Sequence, residues 1–165
     1  REAAMTATLE QALDALAAMR LSEGARIKTV LLDQLAEIAD LADRAGASAS
    51  LRPDAVKERL RQQVAAVLEA APTLSEERVA QEVALIAVKA DIREELDRLR
   101  AHVAAARELI AAGGAVGRKL DFLAQEFNRE ANTLCSKSSD VELTRVGLDL
   151  KAVIDQFREQ VQNIE

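Results

Sequence analysis

The chain has 165 residues, with 22 Lys plus Arg against 28 Asp plus Glu and a formal charge of −6. Hydrophobic residues make up 49% but aromatics only 2%, so Ala, Leu, Val and Ile carry nearly all the apolar mass, a mixture that favours helix over sheet. That apolar content excludes a disordered chain, no run of about 18 apolar residues is present to span a bilayer, and the acidic total excludes wholesale coating of nucleic acid while leaving room for a local basic groove.

From Glu2 to Ala45 apolar residues recur mostly at spacings of three and four: Met5, Leu9, Leu13, Leu16 and Met19, then Ile27, Val30, Leu31, Leu35, Ile38 and Leu41. This is the pattern of an amphipathic helix. Ser22-Glu23-Gly24 interrupts it, and one mid-helix Gly costs about 1 kcal/mol relative to Ala, so we read a single long helix with a local weakness. Gly46 to Ser50 forms a small-residue loop, after which Pro53 and Asp54 open a helix reaching about residue 70. Ser75 is the expected N-cap of the next helix, with Glu76 and Glu77 at the positive end of its dipole. That helix is predicted to run unbroken to Ala112 and to stop at Gly113-Gly114. A fourth, from about Arg118 to Leu134, packs through Leu120, Leu123, Phe127, Ala131 and Leu134. Ser139-Asp140-Val141-Glu142 fits a capping box, and the last helix carries a near-heptad stripe, Leu143, Val146, Leu150, Val153, Phe157, Val161 and Ile164, which calls for a helical partner. The fold expected is all-α: long antiparallel helices in an elongated bundle, divided into a long-helix region over 1–112 and a C-terminal helical hairpin over 118–165, within a larger oligomer. A compact body of 17.9 kDa would expose about 8,000 Å².

The sequence contains no GxxxxGK[ST], GxGxxG, HExxH, GxSxG or CxxC, and a chain with one His and one Cys leaves little room for a His-activated nucleophile. Any catalysis rests on carboxylates, with a hard cation such as Mg²⁺ or Mn²⁺ held by oxygen ligands. Asp91, Glu95, Arg98 and His102, spaced by four, three and four, would share one helix face and hold a metal and a phosphate; the plainer reading is a solvated ion-pair face. Arg118, Gln125, Arg129 and Asn132 form a row of fork-shaped donors and amides of the kind that contact phosphates and base edges, or else an interhelical hydrogen-bond network. Glu126 and Glu130, one turn apart, are close enough to share a cation, or pair with nearby Lys and Arg. Lys137, in the Cys135-Ser136-Lys137-Ser138 break, offers an ammonium to a phosphate. Cys135 reads as a small packed residue, and Phe122, Phe127 and Phe157 fall among core positions, where they make poor base-stacking platforms. The lone Cys allows no internal disulfide and Arg1-Glu2-Ala3-Ala4 does not resemble a signal sequence, which points to the cytoplasm.

Gly117-Arg118-Lys119-Leu120-Asp121-Phe122-Leu123 with Gln125-Glu126, then Asn128-Arg129-Glu130-Ala131-Asn132-Thr133, Ser136-Lys137-Ser138 and the terminal Arg158 to Glu165 resemble the C-terminal half of the bacterial YicC/YloC endoribonuclease family. Asp91 to Leu99 with His102, and Met19-Arg20 with Glu23-Gly24, match further motifs of that family in order. The resemblance implies a cytoplasmic, divalent-metal-dependent endoribonuclease acting on RNA and assembled as a ring-like homo-hexamer with a basic interior. Family members also carry a strand-rich N-terminal region, which is absent from this chain.

Residue chemistry and motif membership together assign Asp91, Glu95, Glu126 and Glu130 to a metal, and Glu126, Glu130 and His102 to the reaction. Arg98, Arg118, Lys119, Gln125, Arg129, Asn132 and Lys137 are assigned to RNA. The expected activity is metal-dependent hydrolysis of RNA phosphodiesters during RNA decay, the alternatives being a non-catalytic adaptor that joins other RNA-decay proteins, or a plain helical assembly module.

Overall fold

A computed structural model describes residues 2–48, 53–70, 75–89, 91–138 and 141–164. Among the described residues all regular structure is helical: α1 (Glu2–Gly46), α2 (Pro53–Ala70), α3 (Glu76–Lys89), α4 (Arg93–Ala112), α5 (Gly117–Lys137) and α6 (Val141–Val161). The all-α expectation holds. α1 passes through Gly24 unbroken, its 45 residues reaching about 67 Å at 1.5 Å per residue.

Local chemistry explains where the helices begin and end. Ser75 caps α3 as expected, its hydroxyl accepting from the Arg78 N–H at 3.3 Å. Gly113 and Gly114 terminate α4 with φ of 70° and 78°, a left-handed conformation that glycine adopts without a Cβ penalty, and the Gly113 N–H closes onto the Leu109 carbonyl at 3.2 Å. Ser139 and Asp140, read as part of the capping box for α6, lie outside the described residues.

The single helix predicted over 76–112 is instead two, α3 and α4. Asp91 is the cause. Its carboxylate accepts from the backbone N–H and the guanidinium of Arg93, and its carbonyl accepts from the Lys137 ammonium at 2.9 Å. In a continuous helix that carbonyl would serve the N–H four residues on. Ile92, fully buried, then pins the restart of the chain into the core.

The second half of α1 packs against α4 and α6, and α5 packs against the same two helices, giving a four-helix body. Its core is layered from Leu35 and Ile38 of α1, Leu96 and Leu99 of α4, Phe127 and Leu134 of α5, and Leu150 and Phe157 of α6. α5 and α6 approach closely at Gly147, where any Cβ would come within 2.6 Å of Cys135 Sγ. α2 and α3 pack on each other and contribute nothing to this core.

Ahead of the body, the stripe from Met5 to Met19 remains in water. The chain accordingly exposes 11135 Å², well above the roughly 8,000 Å² of a compact body of its mass. Among the described residues no helix is long and apolar enough to cross a membrane.

A candidate metal centre between α4 and α5

The turn at Gly113 folds α5 back along α4, so polar residues on the edge of one helix meet those on the edge of the other. Three pairings follow the seam. At one end Lys137 Nζ donates to Glu95 Oε1 at 2.8 Å; next, Arg98 reaches Glu130 Oε1 at 3.4 Å while its other terminal nitrogen pairs with Glu94 at 2.5 Å; beyond these, His102 faces Glu126 and Glu130.

His102, Glu126 and Glu130 are the one group among the described residues in which three metal-binding side chains converge, their ligand atoms all within 4.8 Å of one another. The local sequence explains the convergence. Glu126 and Glu130 stand one turn apart on the edge of α5 that flanks its buried stripe, and Phe127 between them anchors the helix in the core. The Phe127 ring packs edge-to-face against the His102 imidazole, centroids 6.1 Å apart, and against Phe157 at 5.8 Å, so the imidazole is braced by the core.

The donor set suits a divalent cation. Glu130 is only 3% exposed, and a carboxylate so far from water calls for more positive charge than the long contact to Arg98 supplies. Two carboxylates with one imidazole match Mn²⁺ better than Mg²⁺, which prefers oxygen alone. Arg98 itself is held even more firmly charged by Glu94 first and Glu130 second.

The structure separates the other two carboxylates assigned to the metal. Glu95 is neutralised by Lys137, and its Oε2, buried, has no hydrogen-bond partner among the described residues. Asp91 turns to Arg93, whose hydrogen bonds hold its carboxyl below the ordinary 3.8. The spacing of four, three and four fails to unite Asp91 with His102 because α4 starts only at Arg93. Lys137, assigned to RNA, is likewise taken up by Glu95 and by the Asp91 carbonyl.

The amide row lies on the α6 side of α5 and is internally connected. Gln125 donates to Asp121 at 2.8 Å, Asn132 to Asn128 at 2.6 Å, and Asn128 across to Asp155 of α6 at 3.3 Å. The network reading fits these amides. Arg158 of α6, which the sequence reading placed in the terminal motif but gave no role in the site, approaches the same Asp121 at 3.6 Å and lines a shallow depression with Arg129. Arg129 is mostly exposed and extends toward Glu126 at 4.0 Å, which joins this row to the metal-binding group.

Arg118 and Lys119 are exposed at the start of α5 and make no ion pair among the described residues. Phe122 corrects the reading of the aromatics: Phe127 and Phe157 are buried, whereas Phe122 is 60% exposed. The signal was present, since Phe122 lies five residues from Phe127, about 140° around the helix and off its apolar stripe.

Residues 45–165 match the family model described as Endoribonuclease YicC-like, C-terminal. The chain belongs to that family. It is similar to a protein of Haemophilus influenzae named Probable endoribonuclease YicC, with 42% identity over 148 residues, covering 90% of this chain and 50% of the relative. A protein of the same name from Clostridioides difficile is 41% identical over 109 residues, 66% of this chain and 37% of the relative. The chain thus spans about half the length, or less, of these two curated relatives. All the residues of the α4–α5 seam fall within the part matched by the family model.

Proposed function

We propose that this chain is the helical portion of an endoribonuclease and that the α4–α5 seam carries the residues that hydrolyse RNA phosphodiesters. The observation that carries the reading is the convergence of His102, Glu126 and Glu130 beside Arg98, in a chain whose relatives are named probable endoribonucleases.

Glu126, Glu130 and His102 would hold a divalent cation, Mn²⁺ or Mg²⁺, which would polarise a water and offset charge on the scissile phosphate. Glu126 and Glu130 provide the anionic oxygens that hold it, and Glu126, the more exposed of the two, is the carboxylate placed to accept the proton of an attacking water. His102 contributes a ring nitrogen whose position is fixed by Phe127. Arg98 orients the Glu130 carboxylate through one nitrogen and, half-exposed, presents the rest of its guanidinium to a phosphate. Arg129, Arg118 and Lys119 extend the positive edge along α5 for the RNA backbone. The same reading includes a cytoplasmic homo-hexamer, in which neighbouring copies would cover the apolar stripe of α1.

The test is cleavage of a labelled RNA by the full-length protein, purified through two orthogonal steps, with Mn²⁺ or with EDTA. Wild type is expected to cut only with metal, and Glu126→Gln to lose at least about 100-fold while still binding RNA. Equal cleavage by Glu126→Gln would remove this site from the reaction. RNA bound but never cut would favour the adaptor alternative.

A further inference from the structure

Beyond His102 the α4–α5 seam opens into a groove of about 1060 Å³, and its rim carries Phe122, Arg118 and Lys119 on α5 opposite Ala105 and Glu108 on α4. That volume lies at the upper end of what small-ligand sites hold, about 300–1,000 Å³. Arg118, Phe122 and Glu126 are spaced by four, so they follow one inclined ridge of α5, each step turning about 40° and rising about 6 Å along the helix axis. Phe122, on the rim of the groove, thus stands one helical turn, about 6 Å along the axis, from Glu126 of the candidate metal centre.

We propose that this groove is a nucleotide subsite for the RNA strand being cut: the base next to the scissile phosphate stacks on Phe122, and the phosphate beyond it is held by Arg118 and Lys119. The inference rests on the endoribonuclease reading. Three features select this occupant. Phe122 is a ring held 60% exposed on a rigid helix, the geometry that stacks bases of any sequence. Arg118 and Lys119 make no ion pair among the described residues, in contrast to Arg93, Arg98 and Lys137, and so have charge to offer a phosphate. The α5 N-terminus beneath them has neither an acidic residue in its first turn nor a side-chain cap, which adds the positive end of the helix dipole. Glu108 repels a phosphate from the α4 wall and so directs the backbone to the α5 side. The groove walls are apolar through Leu109, Ala112, Leu123 and Ile164, which suits the faces of a base, and Arg118 and Lys119 beside Phe122 select an anionic strand over an apolar protein segment.

The experiment uses full-length protein and a fluorescein-labelled single-stranded RNA oligonucleotide. Affinity is measured in EDTA, kcat and KM in Mn²⁺, and oligomer size by light scattering on the same samples. Phe122→Ala and Phe122→Leu are expected to weaken affinity about tenfold and to raise KM more than they lower kcat, while Phe122→Tyr, which keeps the ring, retains wild-type values. An abasic residue beside the cut should cost wild type a similar factor and cost Phe122→Ala nothing further. Unchanged affinity in Phe122→Ala, with wild type binding and cutting normally, overturns the subsite and leaves the endoribonuclease reading standing. Loss of the oligomer in Phe122→Ala with normal size in Phe122→Leu overturns it in favour of a protein contact. A wild type that neither binds nor cuts RNA overturns both.

Discussion

The first half of α1 and the four-helix body use the same apolar spacing to opposite ends. In the arm, Met5, Leu9, Leu13, Leu16 and Met19 recur every three or four residues yet remain 47% to 69% exposed. In the body, Leu31, Leu35, Ile38 and Leu41 of the same helix follow the same spacing and are buried against α4 and α6. A periodic stripe thus specifies a face that needs cover without specifying what covers it. Chemistry divides along the same line. The body fixes its helix edges tightly enough for His102, Glu126 and Glu130 to converge, and the arm, its stripe uncovered, brings no comparable group together among the described residues.

The sharpest way to break this contrast is to hollow the body. Phe127→Ala removes a fully buried ring together with its contacts to His102 and Phe157, and should cost about 3–5 kcal/mol in chemical denaturation. A loss below about 1 kcal/mol would mean that the body is not packed as described. Next comes the seam. Lys137→Met leaves the buried Glu95 carboxylate without its ammonium and should cost about 2–3 kcal/mol, less than a fully buried pair because Lys137 is partly open to water. Adding Glu95→Leu to that variant should recover most of the loss, since an apolar pair replaces a buried charge.

On the arm the expected effect is far smaller. Leu9→Ser with Leu13→Ser should shift the stability of this chain, as a monomer, by no more than about 0.5 kcal/mol for each substitution, because both side chains are already in water. In the full-length protein the same pair should reduce oligomer size in light scattering if copies pack through this stripe. Unchanged size would place the self-association elsewhere.

Asp91→Asn is also a small effect and carries a pH signature. The Arg93 hydrogen bonds depress the folded-state pKa of Asp91, so its stabilisation is present above the unfolded value near 3.8 and is lost as pH falls through the folded value. The variant should be less stable than wild type by under about 1 kcal/mol at pH 7, the pair being partly exposed, and the gap should close in acid. A gap that widens in acid would contradict the assignment.

Much of the fold was legible because apolar spacing and capping chemistry are local. Ser75, Gly113 and the stripe of α5 each announced its role. The break at Asp91 was not legible, since it depends on Lys137, which is distant in sequence and takes the Asp91 carbonyl away from the helix. The site was legible by residue type but only partly by partnership. The sequence reading already grouped Glu126 and Glu130 with His102, while the exclusion of Asp91 and the diversion of Glu95 to Lys137 required knowing where α4 begins and how it registers against α5. Phe122 shows a gap of another kind: its offset from the α5 stripe was readable, and grouping it with the other two Phe residues concealed it.

The central claim, that the α4–α5 seam holds a divalent cation, is tested most directly by Mn²⁺ binding to the full-length protein, followed by electron paramagnetic resonance of the free ion. One tight site per chain is expected in wild type, with affinity lowered at least about tenfold in both His102→Ala and Glu126→Gln and unchanged in Asp91→Asn. Mn²⁺ bound equally well by wild type and by both cluster variants would contradict the claim.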